Sequence, residues 1–142
     1  MGALLAAAPA RAALARFGMR LGMAFQITDD LLDYTQTESV TGKPSGLDLK
    51  EHKVTLPLIA ALPRLSAGER QVVARLMATA APTDAQVAEV IHLVEAAGGL
   101  DYARRRALDL AQQAEAELAA LPVSTARESL RDSIAYAVER RS

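Results

Sequence analysis

The amino-acid sequence predicts an all-α fold, an antiparallel helical bundle of five or six helices. Good helix formers dominate almost every segment, namely Ala, Leu, Arg, Glu and Gln. Apolar residues recur near the helical period, as at Leu108, Ala111 and Leu118. No alternating strand pattern occurs, and clusters of β-branched residues are scarce. The 142 residues are expected to form a single domain, 1–142, which is long enough for a sizeable core.

Composition excludes several functional classes. The 16 Lys and Arg residues and 17 Asp and Glu residues give a net charge of −1, which provides no electrostatic basis for binding nucleic acid. Disulfides, thiolate metal sites and a cysteine nucleophile are excluded because the chain has no cysteine. No apolar run reaches the roughly 18 residues that a transmembrane helix needs. The start lacks a positively charged segment before its apolar part, so we interpret it as helix, and the absence of a targeting signal favours the cytoplasm.

Proline, glycine and capping residues predict where the helices begin and end. Pro9 is expected in the first turn of a helix that runs to about Tyr34. The stretch 35–48 is rich in Gly, Pro and Ser and predicts a loop, after which a second helix begins at Asp48 or Thr55 and ends near Leu62. The remaining predicted signals are capping boxes at Ser66/Glu69, Thr83/Gln86 and Thr125/Glu128, a stop at Gly98-Gly99, a helix over 100–121 ended by Pro122, and a last helix to about Arg140.

The stretch FQITDDLLDY, residues 25–34, concentrates negative charge in the apolar first helix. On a helix, Asp29 and Asp33 lie one turn apart on the same face, with Asp30 beside them and Gln26 one turn earlier. Neighbouring like charges at this spacing cost a few tenths of a kcal/mol per pair, roughly. A bound cation would offset that cost. A cluster of surface aspartates held only by water is the alternative interpretation.

The residues that follow favour the cation. Lys43 lies in the Gly/Pro loop, and Asp48 and Lys53 come soon after it. Carboxylate oxygens suit Mg²⁺ or Ca²⁺, and Mg²⁺ is typically held by one or two carboxylates together with substrate phosphates. Lysine ammonium groups bind phosphate oxygens. This combination predicts a metal-bridged phosphate site, although each lysine alone could be a solvated surface group.

These residues resemble a known family. LGMAFQITDDLLDY followed by TGKPSGLDLKEHKVTLPLIAAL closely resembles the second aspartate-rich region of the trans-isoprenyl (polyprenyl) diphosphate synthases. The later stretch from GGLDYARRRALDL onward resembles the C-terminal helices of the same family, in the manner of its medium- and long-chain bacterial members. The resemblance implies a partial isoprenoid-synthase fold over nearly the whole chain.

The resemblance also implies roles for individual residues. Asp29 and Asp30 would hold Mg²⁺ against an allylic diphosphate, with Asp33 in support and Asp48 ordering a metal-bound water. Lys43 and Lys53 would contact or neutralise the diphosphate. The remaining implied pocket residues are Phe25, near the reacting carbons, and Gln26. The implied reaction is ionisation of the allylic diphosphate, attack by isopentenyl diphosphate, and loss of a proton.

Family members carry two aspartate-rich motifs on facing helices, whereas this sequence contains one, at 29–33. The chain is therefore expected to correspond to the C-terminal part of a polyprenyl synthase domain, without the basic residues of the isopentenyl diphosphate site. Four hypotheses remain open: a half-synthase that needs its other half, a non-catalytic helical subunit, a fragment, and a module that only binds Mg²⁺ and diphosphate. An exposed apolar face is expected, which predicts a homo-oligomer or a complementing N-terminal half.

Overall fold

The computed structural model describes residues 2–36 and 45–139, with side chains from residue 7 onward. Seven α-helices and no strand are found among these residues, so the all-α prediction is confirmed. The helices are α1 (Gly2–Thr35), α2 (Leu47–Lys50), α3 (Leu56–Ala61), α4 (Ala67–Ala78), α5 (Asp84–Ala96), α6 (Gly99–Glu117) and α7 (Thr125–Val138). Short 3-10 turns, Leu62–Arg64 and Leu118–Ala120, follow α3 and α6. Within the described ranges no helix is both long enough and apolar enough to span a bilayer.

The helices form two compact units, and the boundary between them falls inside α1 and inside α6. The first unit contains Met1–Thr28 and Arg105–Arg141. Its core joins α1, α6 and α7 through buried apolar side chains, which include Phe17, Ala114 and Ile134. Glu117 at the end of α6 is only 14% exposed and forms ion pairs with Arg16 and Arg20 of α1.

The second unit is Asp29–Arg104 and contains most of the predicted site. Within it α4 packs on α5, and α3 also packs on α5. The buried apolar side chains of these helices include Leu58, Leu76, Val90 and Val94. Leu49 of the short helix α2 is fully buried as well, which fixes the segment on either side of it against the rest of the unit.

Two of the three predicted capping boxes are confirmed, and the third is wrong by one residue. The Ser66 and Thr83 hydroxyls accept from the N–H groups of Glu69 and Gln86, whose side chains in turn accept from the capping residues. Before α7 the cap is Ser124 instead of Thr125. Ser124 has an extended backbone and its hydroxyl accepts from the Arg127 N–H at 3.1 Å.

The predicted start of the first helix is also wrong. Helix α1 begins at Gly2, so Pro9 lies inside it and not in its first turn. Proline inside a helix removes one N–H donor and disfavours the local geometry. The run of Ala and Leu before Pro9 has a high helix propensity, which offsets that cost.

Of the two predicted starts of the second helix, Thr55 is confirmed as the N-cap of α3, whereas the segment around Asp48 forms the separate short helix α2. Residues 51–55 between them are not helical, because His52 has a φ of 58° and Thr55 is extended. Pro57, in the first turn of α3, suits a new helix start at this point. The predicted stop at Gly98 is confirmed by its φ of 76°, whereas Gly99 already begins α6. Of the predicted loop, residues 37–44 lie outside the described residues.

Candidate functional site

Three aspartates lie on the last two turns of α1, where the helix continues without interruption to Thr35. Asp29 is exposed, while Asp30 and Asp33 are half-buried. The apolar residues Leu31 and Tyr34 at this end of the helix are buried, which anchors it to the rest of the unit. The carboxylates are therefore presented by a fixed helix end and not by a loop.

Asp33 connects α1 to α2. Its two carboxylate oxygens accept from the backbone N–H groups of Leu47 and Asp48, each at 3.1 Å, and its own carbonyl accepts from the Gly46 N–H at 2.8 Å. Burial raises the pKa of Asp33, and the two amide hydrogen bonds offset part of that effect. Asp33 thus stabilises the start of α2 in the manner of a capping carboxylate.

Gly46 allows the backbone before α2 to lie close to α5. Its φ is 72°, in the left-handed region that favours glycine. A Cβ at this position would lie 2.4 Å from Cγ1 of Val87 on α5. In addition, the Ser45 hydroxyl donates to the Gln36 carbonyl, so the two described ends of the stretch 37–44 lie together beside the end of α1.

Lys53 forms the cationic part of the site. Its ammonium group lies 3.1 Å from Oδ1 of Asp48 and 2.6 Å from Oε2 of Glu51. The backbone N–H of Lys53 donates to the backbone carbonyl of Asp48 at 2.8 Å. The hydrogen bonds that the Lys53 ammonium donates to the Glu51 and Asp48 carboxylates raise the pKa of Lys53, so it is charged throughout the physiological range. The Lys53 side chain is 56% exposed, which leaves it accessible to a further anion.

Two buried hydroxyl groups lie near the carboxylates of the candidate site. The hydroxyl oxygens of Tyr34 and Thr55 are both buried, and neither has a partner that meets hydrogen-bond geometry. Burial raises the pKa of Tyr34 to about 12; the nearby Thr55 hydroxyl opposes this shift, and the charges of Asp33, Asp48 and Asp30 add to it. Thr55 is the N-cap of α3 but its side chain does not cap that helix.

The structure brings together part of the predicted site. Asp33, Asp48 and Lys53 form one connected group through the contacts above. Asp29 and Asp30 lie one turn before Asp33 on the same helix. The other predicted residues are Phe25, 38% exposed, and Gln26, exposed, both in the first-unit part of α1, and Lys43, which lies outside the described residues.

No group of three or more acidic or histidine side chains within the described ranges converges as a ready-made metal site. The donor chemistry nevertheless fits Mg²⁺. Asp29 and Asp30 supply hard carboxylate oxygens, and Asp29 is exposed enough to meet a hydrated ion. Mg²⁺ needs only one or two carboxylates and takes its remaining ligands from water and phosphate.

The described residues define an all-helical protein whose candidate site combines aspartates at the end of α1 with a lysine on the following segment. Comparison with known families identifies the family to which this protein belongs. The family model for polyprenyl synthetases matches residues 1–94. The chain belongs to the polyprenyl synthetase family.

Individual relatives agree with this assignment. The chain is 41% identical to the all-trans-nonaprenyl-diphosphate synthase (geranyl-diphosphate specific) of Rhodobacter capsulatus, over 97% of this chain and 42% of the relative. It is 38% identical to the heptaprenyl diphosphate synthase component 2 of Geobacillus stearothermophilus, over 99% of this chain and 43% of the relative. The chain therefore spans about two fifths of the length of these curated relatives.

A solved structure confirms the fold. The polyprenyl synthase of Caulobacter crescentus CB15, complexed with calcium and isoprenyl diphosphate, superposes with a TM-score of 0.81 at 37% identity. The match covers 92% of this chain and 40% of that chain. The helices described above are thus arranged as in part of an isoprenyl synthase.

Sequence reasoning missed several residues that build the site. Glu51, His52 and Tyr34 have no pattern in the sequence that indicates a role. Gly46 could have been identified, because a glycine directly before a short helix often marks a left-handed residue. Thr55 was predicted only as a helix start.

Proposed function

We propose that this chain forms one wall of the active site of a polyprenyl diphosphate synthase, a prenyltransferase that condenses an allylic diphosphate with isopentenyl diphosphate. The observation that carries the proposal is the connected group of Asp33, Asp48 and Lys53 at the end of the helix that bears Asp29 and Asp30. Family membership and the diphosphate complex of the Caulobacter relative support it. The proposed domain is the C-terminal part of such a synthase.

In this proposal Asp29 and Asp30 would hold Mg²⁺, supported by Asp33 of α1 and Asp48 of α2. Mg²⁺ supplies positive charge that stabilises the leaving diphosphate. Calcium in the Caulobacter complex supports a hard divalent cation in general. Lys53, together with Lys43, neutralises diphosphate oxygens, which is electrostatic stabilisation by charges fixed before the reaction.

The reaction then follows from that charge arrangement. The allylic carbon–oxygen bond breaks as diphosphate leaves, the double bond of isopentenyl diphosphate attacks the allylic cation, and a proton is lost. Phe25 is proposed to line the cavity near the reacting carbons, where an apolar wall excludes water from the cation, and Gln26 to face the same pocket. The exposure of both side chains on α1 supports these roles.

A non-catalytic helical subunit is the second candidate, and an exposed apolar surface on α1 favours it. The side chains of Leu14, Met19 and Met23 are 43%, 61% and 46% exposed. Gly18 and Gly22 on the same helix have no neighbouring atom within 4 Å of an added Cβ. Such a surface suits another helix, either from a second copy or from a complementing N-terminal half. The Geobacillus relative is itself named as one component of a synthase.

A prenyl-transfer assay separates the two candidates. The purified chain is incubated with Mg²⁺, farnesyl diphosphate and isopentenyl diphosphate, alone and with the part of the Rhodobacter relative that it does not match. We expect elongated product only in the mixture, because one carboxylate wall alone leaves the second substrate unpositioned. No product from a folded, stably mixed sample would contradict the catalytic proposal and favour the subunit.

A further inference from the structure

His52 has an unusual backbone conformation directly before Lys53. Among the described residues it is the one non-glycine residue with a positive φ, at 58°. Side chains other than glycine rarely adopt this region, and a residue that keeps it is held there by its surroundings. The side chain of His52 supplies a reason for this conformation.

The imidazole ring of His52 is bound to the end of α4. Its Nε2 lies 2.7 Å from the carbonyl oxygen of Thr79, the residue that follows α4. A carbonyl oxygen only accepts, so Nε2 must carry a proton. The Nε2–H tautomer of the ring meets that requirement.

The next residue, Lys53, is held by contacts with Asp48. The Lys53 N–H donates to the Asp48 carbonyl at 2.8 Å, and the Lys53 ammonium bonds Asp48 Oδ1 at 3.1 Å. On the other side of the segment, the Lys50 ammonium pairs with Asp84 at the start of α5. The turn that carries Lys53 is thus tied to α4 and α5 on one side and to the carboxylate group on the other.

We propose that His52 is a positioning residue: its bond to the Thr79 carbonyl holds the turn so that the Lys53 ammonium stays beside Asp48 and meets the diphosphate. This inference rests on the proposed function of Lys53. It assigns to His52 an effect that passes through Lys53 and not through direct contact with the substrate.

Four variants of the full chain test the inference. His52→Gly suits the backbone but removes the ring, and His52→Asn tolerates a positive φ but is too short to reach Thr79. His52→Gln places an amide N–H at about the same reach as Nε2. His92→Ala changes the second of the two histidines, an exposed residue of α5, and is the matched control.

Two readouts are measured on each variant. The first is the dissociation constant for inorganic pyrophosphate in the presence of Mg²⁺, and the second is hydrogen exchange at the Lys53 amide. We expect His52→Gly and His52→Asn to weaken pyrophosphate binding about tenfold, the loss of one charge-assisted hydrogen bond. Both should speed Lys53 exchange, while His52→Gln and His92→Ala stay close to wild type.

A double variant identifies the route of the effect. If His52 acts through Lys53, then His52→Gly should add nothing to the loss caused by Lys53→Ala. Additive losses, or wild-type affinity and Lys53 exchange in His52→Gly, would overturn the inference. If wild-type protein binds no Mg²⁺–pyrophosphate, the proposed function is contradicted, and unchanged Lys53 exchange in His52→Gly would separately overturn the positioning effect.

Discussion

At the scale of single residues, the three aspartates of α1 differ in what their carboxylates contact. Asp33 accepts from two backbone N–H groups of α2, whereas Asp29 is exposed at the surface. Asp33 thus has a structural contact with α2, whereas the proposed metal-binding role of Asp29 rests on its exposure at the end of the same helix. The spacing of the motif does not distinguish them, because it reports only which helix face each aspartate shares.

The variants Asp33→Asn and Asp29→Asn should separate these two roles. Asp33→Asn leaves one of the two α2 amides without a good acceptor, so we expect about tenfold faster hydrogen exchange at Leu47 and Asp48. Asp29→Asn should leave that exchange unchanged and weaken Mg²⁺-dependent pyrophosphate binding. Unchanged amide exchange in Asp33→Asn would show that its carboxylate does not hold α2.

Tyr34 provides a second test at this scale. Burial raises its pKa from 10.0 to about 12. Because the folded protein resists this ionisation, the stability linked to neutral Tyr34 is complete below pH 10 and is lost as pH rises towards 12. An absorbance titration of the folded protein should show a phenolate step near pH 12 that Tyr34→Phe removes. A Tyr34→Phe titration identical to wild type would contradict the burial of this hydroxyl.

At the scale of elements, Gly46 determines how closely α2 approaches α5. Gly46→Ala should destabilise the chain by about 1–3 kcal/mol, because its Cβ would overlap Val87 and its φ is unfavourable for alanine. Denaturant unfolding measures the change. Gly68→Ala on α4 is the control, since an added Cβ there meets nothing within 4 Å and should be neutral or stabilise by up to about 1 kcal/mol. Equal effects of the two changes would refute the proposed packing.

The ion pairs between α1 and α6 give a pH-dependent prediction. Hydrogen bonds from Arg16 lower the pKa of Glu117 below its ordinary value of 4.5. A lowered pKa stabilises the folded protein above pH 4.5, and this contribution is lost as pH falls through the folded pKa. Wild type should therefore unfold at higher denaturant than Glu117→Gln at neutral pH, and the two midpoints should converge in acid. A constant difference down to the lowest pH would contradict this linkage.

The helix boundaries that the sequence predicts correctly are those that depend on hydrogen bonds between residues close together in the chain. The Ser66 and Thr83 caps follow from short-range hydrogen bonds between residues three apart, so the pattern is sufficient. Before α7, Ser124 and Thr125 are both good caps, and only the extended backbone of Ser124 selects one. Pro57 is a local signal for the start of α3, whereas the positive φ of His52 between α2 and α3 accompanies a contact of its ring with Thr79, 27 residues away, which no local pattern contains.

The candidate site likewise contains some residues that a local sequence pattern indicates and others that only long-range packing brings together. The aspartates and Lys53 are recognisable because the motif keeps them within 25 residues of one another in a fixed order. Tyr34, Thr55 and Gly46 depend on burial and on the approach of α5, which arise only when distant helices pack. Sequence therefore predicts the charged groups better than the residues that hold them in place.

At the scale of the whole molecule, the chain spans about two fifths of its curated relatives and carries one aspartate-rich motif. Its exposed apolar side chains on α1 are consistent with a surface that another helix covers. Mixing the chain with the unmatched part of the Rhodobacter relative should therefore bury Met19 and Met23. Methyl NMR signals of these two residues should shift on mixing, with Met77 on α4 as an internal reference, and unchanged spectra would contradict the proposed surface.

The central claim is that the carboxylates at the end of α1 hold Mg²⁺ against a diphosphate during prenyl transfer. The most direct measurement is Mg²⁺-dependent turnover of farnesyl and isopentenyl diphosphates by the reconstituted mixture, with wild-type chain or with the double variant Asp29→Ala, Asp30→Ala. We expect the variant to lose at least about 100-fold in turnover while its helicity stays unchanged. Full turnover by the double variant would contradict the metal assignment.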